Sequence, residues 1–194
     1  MYNGMENNDI ISKILLGDQQ CFGELVKRYQ NLVFTIALHY TQNREDAEEI
    51  AQDIFVKAYR ALADFKGNSK FSTWLYTIAT NTAITHLRKK KPQIYLINNE
   101  KNLEQLNATN NDYSANRAEQ KSKIEILNKA ILLLKPDDAQ VIILFYKGEQ
   151  SIEEIGQITG LTPNAVKVKL HRARQRLKET LKTYFAGELK EMIN

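Results

Sequence analysis

One cysteine, three prolines and eight glycines among 194 residues leave this chain short of the usual means of bracing or sharply bending a small fold. Cys21 has no partner for an internal disulfide and cannot build a thiolate metal cage, so it reads as a small core residue. So few breakers and turn formers exclude a β-sandwich, a barrel or a collagen-like chain and point to an all-α fold. Long apolar runs are also missing: the longest, Val141 to Tyr146, falls far short of the roughly 18 residues a bilayer-spanning helix needs. The N-terminus carries Asn3, Glu6, Asn7, Asn8 and Asp9 where a secretory signal would have basic and then apolar residues, so a cytoplasmic protein without membrane insertion is expected. What is present, 43% hydrophobic residues in a chain of this length, suits one ordinary domain or two small ones with packed cores.

Chemistry-bearing constellations are equally scarce. His39, His86 and His171 stand apart, with no Cys or His at ligand spacing, so no metal is expected. No Gly-rich phosphate loop, Gly-x-Ser-x-Gly or His-Glu-x-x-His occurs, so neither an enzyme nor a cofactor is expected.

Charge is where the sequence speaks. The net +4 conceals blocks of opposite sign. Glu45, Asp46, Glu48, Glu49 and Asp53 follow one another with no cation between them, an acidic helical face unsuited to nucleic acid. Arg88, Lys89, Lys90 and Lys91 run consecutively, and Lys167, Lys169, Arg172, Arg174, Arg176, Lys178 and Lys182 meet only Glu179. A single such run is often just a solvated face, but two in separate domains favour a phosphate backbone as partner.

Periodicity divides the chain. Phe22, Leu25, Val26, Tyr29, Leu32, Val33 and Ile36 mark one face of a long helix. Asn43 is a plausible cap for the next, whose stripe is Ala47, Ile50, Ala51, Ile54, Val56, Ala58 and Leu62. After a Gly67-Asn68-Ser69 turn signal, a third helix buries Phe71, Trp74, Leu75, Ile78 and Thr82 and turns Thr77, Asn81, Ile84 and Arg88 elsewhere. The Asn-rich stretch 92–119 has little periodicity and reads as a flexible linker, about 30 Å end to end as a coil and about 95 Å extended. Residues 1–91 and 120–194 are then two small helical domains.

The second domain carries the densest local signals. Pro136 with Asp137 and Asp138 starts a helix, and Gly148 stops it. Ser151-Ile152-Glu153-Glu154 is a capping box, Ile155 and Ile158 face inward, Gly160 suits a left-handed stop, and Thr162-Pro163 opens the next helix. That is a helix-turn-helix. Its second helix buries Val166, Leu170, Ala173, Leu177 and Leu181 and presents Asn164, Lys167, Val168, His171, Arg172 and Gln175, the donors and apolar contact a recognition helix offers to base edges. The competing reading is an ordinary helical hairpin with a solvated basic face.

Three stretches together resemble the extracytoplasmic-function (ECF) group of sigma-70 family RNA polymerase sigma factors: Asp46-Ala47-Glu48-Glu49-Ile50-Ala51-Gln52-Asp53-Ile54-Phe55; Phe71-Ser72-Thr73-Trp74-Leu75-Tyr76 with Asn81; and Ser151 to Gly156 with Val166 to Arg174. The resemblance implies a region 2-like bundle and a region 4-like helix-turn-helix. It implies that Asp46, Glu49, Gln52 and Asp53 bind the β′ clamp helices of core polymerase, with the β subunit a further partner. It implies that Phe65, Lys66, Gly67, Asn68, Ser69, Lys70 and Phe71 with Asn81 hold an unpaired base of the −10 element while Arg88, Lys89 and Lys90 follow the DNA backbone. Asn164, Lys167, Val168, His171 and Arg172 would read the −35 element, and an anti-sigma factor would fit the exposed surfaces. The chain departs from the family at Thr80 and Thr85, where Arg and Asp are common. The rival reading is a helix-turn-helix regulator with a ligand-sensing or dimerising helical domain; beyond it stand a helical interaction protein and a nucleic-acid-processing enzyme.

Overall fold

A computed structural model describes residues 6–90 and 115–186. Among them every regular element is a helix. The first group comprises α1 (Asn7–Leu15), a 3-10 turn (Gln19–Cys21), α2 (Phe22–Thr41), α3 (Arg44–Arg60), a second 3-10 turn (Leu62–Asp64) and α4 (Phe71–Lys90). The second comprises α5 (Ala115–Leu132), α6 (Pro136–Ile142) running into a π-helical turn (Ile143–Lys147), α7 (Ile152–Thr159) and α8 (Pro163–Tyr184).

In the first group α2, α3 and α4 pack on one another. Leu25, Val33 and Ile36 from α2 meet Ile50 and Ile54 from α3 and Leu75 from α4, with Ala47, Ala58, Ala79 and Ala83 fully buried where small side chains let helices approach. Cys21 is buried among them, as expected of a small core residue. Gln42 takes the left-handed conformation that ends α2, and the Asn43 side chain accepts from the Asp46 backbone N–H at 2.9 Å to begin α3. One stripe residue is misplaced by the periodic reading. Val56 is exposed, because Ile54 and Ala58, a full turn apart, hold the inward positions and Val56 points roughly 200° away from Ile54.

In the second group Ile131, Leu134, Ile142, Leu144, Ile155, Val166, Leu170 and Ala173 form the core. Of the expected linker 92–119, residues 92–114 lie outside the described residues, and the last five are already the start of α5. Gly148 follows the π-helical turn as expected of a stop, but the left-handed residue is its neighbour Glu149, at φ 51°. Gly148 is needed for space instead: a Cβ there would lie 2.7 Å from the Leu144 carbonyl oxygen and 3.2 Å from Leu32 of α2.

That last contact crosses between the groups. α4 packs against α7 and α2 against α6, and the buried apolar residues of both groups form one continuous cluster. The seam is polar as well as apolar. Thr73 Oγ1 donates to Gln150 Oε1 at 2.9 Å and Gln140 Nε2 donates to Thr80 Oγ1 at 3.0 Å, both buried. Nothing in the periodicity of either segment announces these pairs, whose members are 77 and 60 residues apart.

Candidate nucleic-acid interface

The helix-turn-helix forms from local chemistry. Ser151 Oγ accepts from the Glu154 N–H at 3.1 Å while Glu154 Oε2 accepts from the Ser151 N–H at 2.8 Å, satisfying two of the orphan donors at the start of α7. Gly160, at φ 73°, ends that helix, and Thr162 Oγ1 accepts from the Ala165 N–H at 3.3 Å with Pro163 opening α8. The turn folds tightly back on α7: a Cβ on buried Gly156 would sit 2.8 Å from the Leu161 carbonyl oxygen. Gly156→Ala is therefore expected to lower stability by about 1–3 kcal/mol, since backbone must move to admit the methyl. The midpoint of urea unfolding of the full chain measures this, and an unchanged midpoint would show that the turn yields freely.

α8 buries Val166, Leu170 and Ala173 and half-buries Leu177 and Leu181. Asn164, Lys167, Val168, His171, Arg172 and Gln175 are all exposed, Val168 at 50%. The geometry also sorts the basic block, which the sequence presents as uniform. Lys169 pairs with Asp137 at 3.1 Å and Arg176 with buried Asp138, fastening α8 to the first turn of α6. Arg174 lies over the rings of Phe145 and Tyr146 at 5.2 and 5.3 Å. Lys167 and Arg172 are exposed and have no partner among the described residues. Lys178 and Lys182, with Lys147, edge an apolar groove of about 480 Å³ floored by Leu127, Ile131, Ile142, Leu177 and Leu181.

In the first group, the loop between α3 and α4 rests on an aromatic cluster. Phe65 meets Phe71 edge-on at 5.9 Å and Trp74 at 5.2 Å, and Phe71 meets Trp74 at 5.6 Å. Phe71 is buried, so it is the floor beneath the loop, while Phe65 and Trp74 are half-buried at its side. Lys66, Gly67, Asn68 and Lys70 are exposed, Ser69 is half-buried, and Gly67 has φ 72°. Lys70 pairs with Glu154 of α7 at 3.0 Å. Asn81, Arg88 and Lys89 are exposed along α4; the Lys90 side chain lies outside the described residues, as does Lys91. The two departures have distinct settings: Thr80 is buried against Gln140, whereas exposed Thr85 donates to the Asn81 carbonyl at 2.7 Å.

The acidic block lies along α3 with Glu49, Gln52 and Asp53 exposed and Asp46 half-buried. Asp53 pairs with Lys57 at 2.6 Å and Glu48 with Arg44 at 2.9 Å, while Glu49 has no cation partner among the described residues. Exposed Val56 and Tyr59 extend this face with apolar surface that a purely periodic reading assigns to the core or leaves unremarked. Such a mixed acidic and apolar strip suits a protein partner better than a polyanion. Among the described residues no cluster of three His, Cys, Asp or Glu could hold a metal, and no helix is long and apolar enough to cross a membrane.

Residues 25–93 match the family described as Sigma-70 region 2, and residues 124–177 the family described as Sigma-70, region 4. The chain is 33% identical over 177 residues to the ECF RNA polymerase sigma factor SigW of Bacillus subtilis (strain 168), covering 89% of this chain and 95% of that protein. Among solved structures, CnrH in complex with the cytosolic domain of CnrY has a TM-score of 0.63 at 22% identity, covering 90% of this chain and 96% of that one. The sigma factor RpoE in complex with the anti-sigma factor NepR from Bartonella quintana has a TM-score of 0.61 at 22% identity, covering 84% and 98%. At these identities the two structures bear on the fold.

Proposed function

The chain belongs to the ECF group of sigma-70 family RNA polymerase sigma factors, and from that membership we propose how its surfaces divide the work of starting transcription. The α3 strip of Asp46, Glu49, Gln52 and Asp53, lengthened by Val56 and Tyr59, docks on the β′ clamp helices of core polymerase. The groove edged by Lys147, Lys178 and Lys182 receives the β subunit. The loop 65–71 and Asn81 hold an unpaired −10 base, with Arg88, Lys89 and Lys90 along the backbone. Asn164, Lys167, Val168, His171 and Arg172 read the −35 element in the major groove.

The observation that carries this reading is the exposed, unpartnered Lys167 and Arg172 on a correctly capped recognition helix. Melting then needs no covalent catalysis by the chain, because capture of a flipped base offsets an unstacking cost of a few kcal/mol. The reading places the protein in the cytoplasm with polymerase, and its exposed strips offer sites for an anti-sigma factor. A free-standing helix-turn-helix regulator is not favoured, since its helical partner domain would have no reason to match Sigma-70 region 2.

Purified chain mixed with core polymerase on a promoter library tests the proposal directly: transcripts that start from a shared pair of sequence elements are expected, and transcription no better than core enzyme alone would overturn it. Gln52→Ala with Asp53→Ala is expected to weaken core binding about tenfold, some 1.4 kcal/mol. Both side chains are exposed and the Asp53–Lys57 pair is worth well under 1 kcal/mol to the fold. Competition binding to core polymerase measures the loss; unaltered affinity would move the docking strip elsewhere.

A further inference from the structure

α1 lies ahead of residues 25–93, so the match to Sigma-70 region 2 gives it no share in the work of that region. Its attachment is nonetheless specific. Ile10, Ile11 and Ile14 are buried and seat the helix on the bundle, whereas its first residue, Asn7, is half-buried and bonds to α2 through polar atoms. Asn7 Nδ2 donates to the Tyr29 hydroxyl at 2.6 Å, and Asn7 Oδ1 accepts from Arg28 Nη1 at 3.1 Å. With one end of the amide donating and the other accepting, its orientation is set, and with it the place of the Tyr29 hydroxyl.

Tyr29 carries that fixed point to the loop assigned to the unpaired strand. Its ring lies 5.4 Å from Phe71 and 6.1 Å from Tyr76, both on α4. Phe71 is the buried floor of the loop 65–71, and Phe65 and Trp74 meet the same ring at 5.9 and 5.6 Å. Three rings therefore clasp Phe71, and the one from α2 is tied to α1. Packing of this kind carries no directional bond, so a ring that loses one neighbour gains room to shift. Burial pushes the Tyr29 hydroxyl above its ordinary pKa, with the Asn7 amide offsetting some of that, so the hydroxyl keeps its proton near neutral pH.

We propose that Tyr29 is a positioning residue for capture of the unpaired base, and that α1, through Asn7, is the brace that fixes it. The inference rests on the assignment of the loop 65–71 to the −10 strand and names what holds that loop ready. Unstacking a base is costly, and a pocket that must reorganise to receive it adds to the cost. Neither Asn7 nor Tyr29 acts by touching DNA. Asn7 fixes Tyr29, Tyr29 backs Phe71, and Phe71 with Phe65 and Trp74 shapes the loop. The effect therefore falls on the open complex, because docking of polymerase on α3 and reading of the −35 element by α8 use other surfaces.

A double-mutant cycle in the full chain, assembled with core polymerase, tests this through the lifetime of the open complex under heparin challenge on a promoter fragment recovered from the library. Asn7→Ala and Tyr29→Phe should each shorten that lifetime about fivefold, and the double variant no further than either alone, since the two side chains share one bond. Asn7→Asp, whose carboxylate accepts from the Tyr29 hydroxyl and from Arg28, should keep the wild-type lifetime. Affinity for core polymerase and for the upstream duplex should be unchanged in all of them. Ile36→Val trims the same core about two turns further along α2 and should leave the lifetime unaltered, which separates positioning from stability. Losses that add in the double variant, an equal loss in Ile36→Val, or lifetimes unchanged throughout would each overturn the brace. Failure of the functional assignment looks different: no open complex forms with wild type or any variant, whereas failure of the brace leaves the wild-type complex intact.

Discussion

Lowering the pH from 7 to 4 is expected to cost the folded chain about 3 kcal/mol through one side chain, His39. The imidazole is 1% exposed near the end of α2, with the Pro136 backbone beside it as a hydrogen-bond acceptor. Burial pushes its pKa from 6.5 down to about 4, with the Pro136 backbone offsetting a little of that. The groups around it give no relief: Tyr40, with its ring 5.8 Å away, is neutral across this range, and exposed Asp137 makes its ion pair with Lys169. The fold therefore holds the ring neutral, whereas the unfolded chain protonates it below about 6.5. Stability from this group is complete above that value and is lost at about 1.4 kcal/mol per pH unit as pH falls toward 4. Glu154, the depressed carboxylate, acts with the same sign, but its loss begins only below its unfolded value near 4.5. The interval from 6.5 to 4.5 therefore belongs mainly to His39. Urea unfolding at several pH values should show this slope in wild type and a flatter one in His39→Gln; parallel slopes would show that the ring is not buried neutral. Because His39 lies beside the start of α6, the acid effect falls on the contact between the helical groups.

What could be read in advance was whatever is decided within a few residues. Asn43, Ser151 with Glu154, Gly160 and Thr162 with Pro163 cap their helices as their residue types dictate, because a cap is a bond across three positions. The exposed face of α8 follows from placing Val166, Leu170 and Ala173 inside. What could not be read depends on partners far away in sequence. Lys169, Arg174 and Arg176 look identical to Lys167 and Arg172 until Asp137, Asp138, Phe145 and Tyr146 are brought beside them. Thr73 and Thr80 fall on neither stripe that periodicity assigns to α4, and their buried place is set only when Gln150 and Gln140 arrive, while Val56 looks like core until Ile54 and Ala58 take the inward positions. The family resemblance supplied roles for the acidic and loop residues that no local rule supplies, and it gave no hint that α4 and α7 would meet.

The sorting of the basic block yields the sharpest test of the DNA surface. Lys167→Ala and Arg172→Ala should each weaken binding at the upstream promoter element by roughly 1–3 kcal/mol, with stability close to wild type, since both side chains are exposed and neither pairs with another described residue. Holoenzyme binding measured across salt concentrations separates the two kinds of contact. If a residue holds a phosphate, its loss lowers the salt slope by about one and weakens all sequences alike; if it reads a base, its loss relaxes preference at one position. Arg176→Ala should behave in the opposite way. It strands the nearly buried carboxylate of Asp138, loosens the seat of α8 on α6 and lowers the unfolding midpoint, with DNA binding falling only as far as the helix shifts. Two neighbouring cations on one helix would then separate into a reader and a strut. Equal effects of all three substitutions on both DNA affinity and stability would show that the recognition face has been drawn on the wrong side of α8.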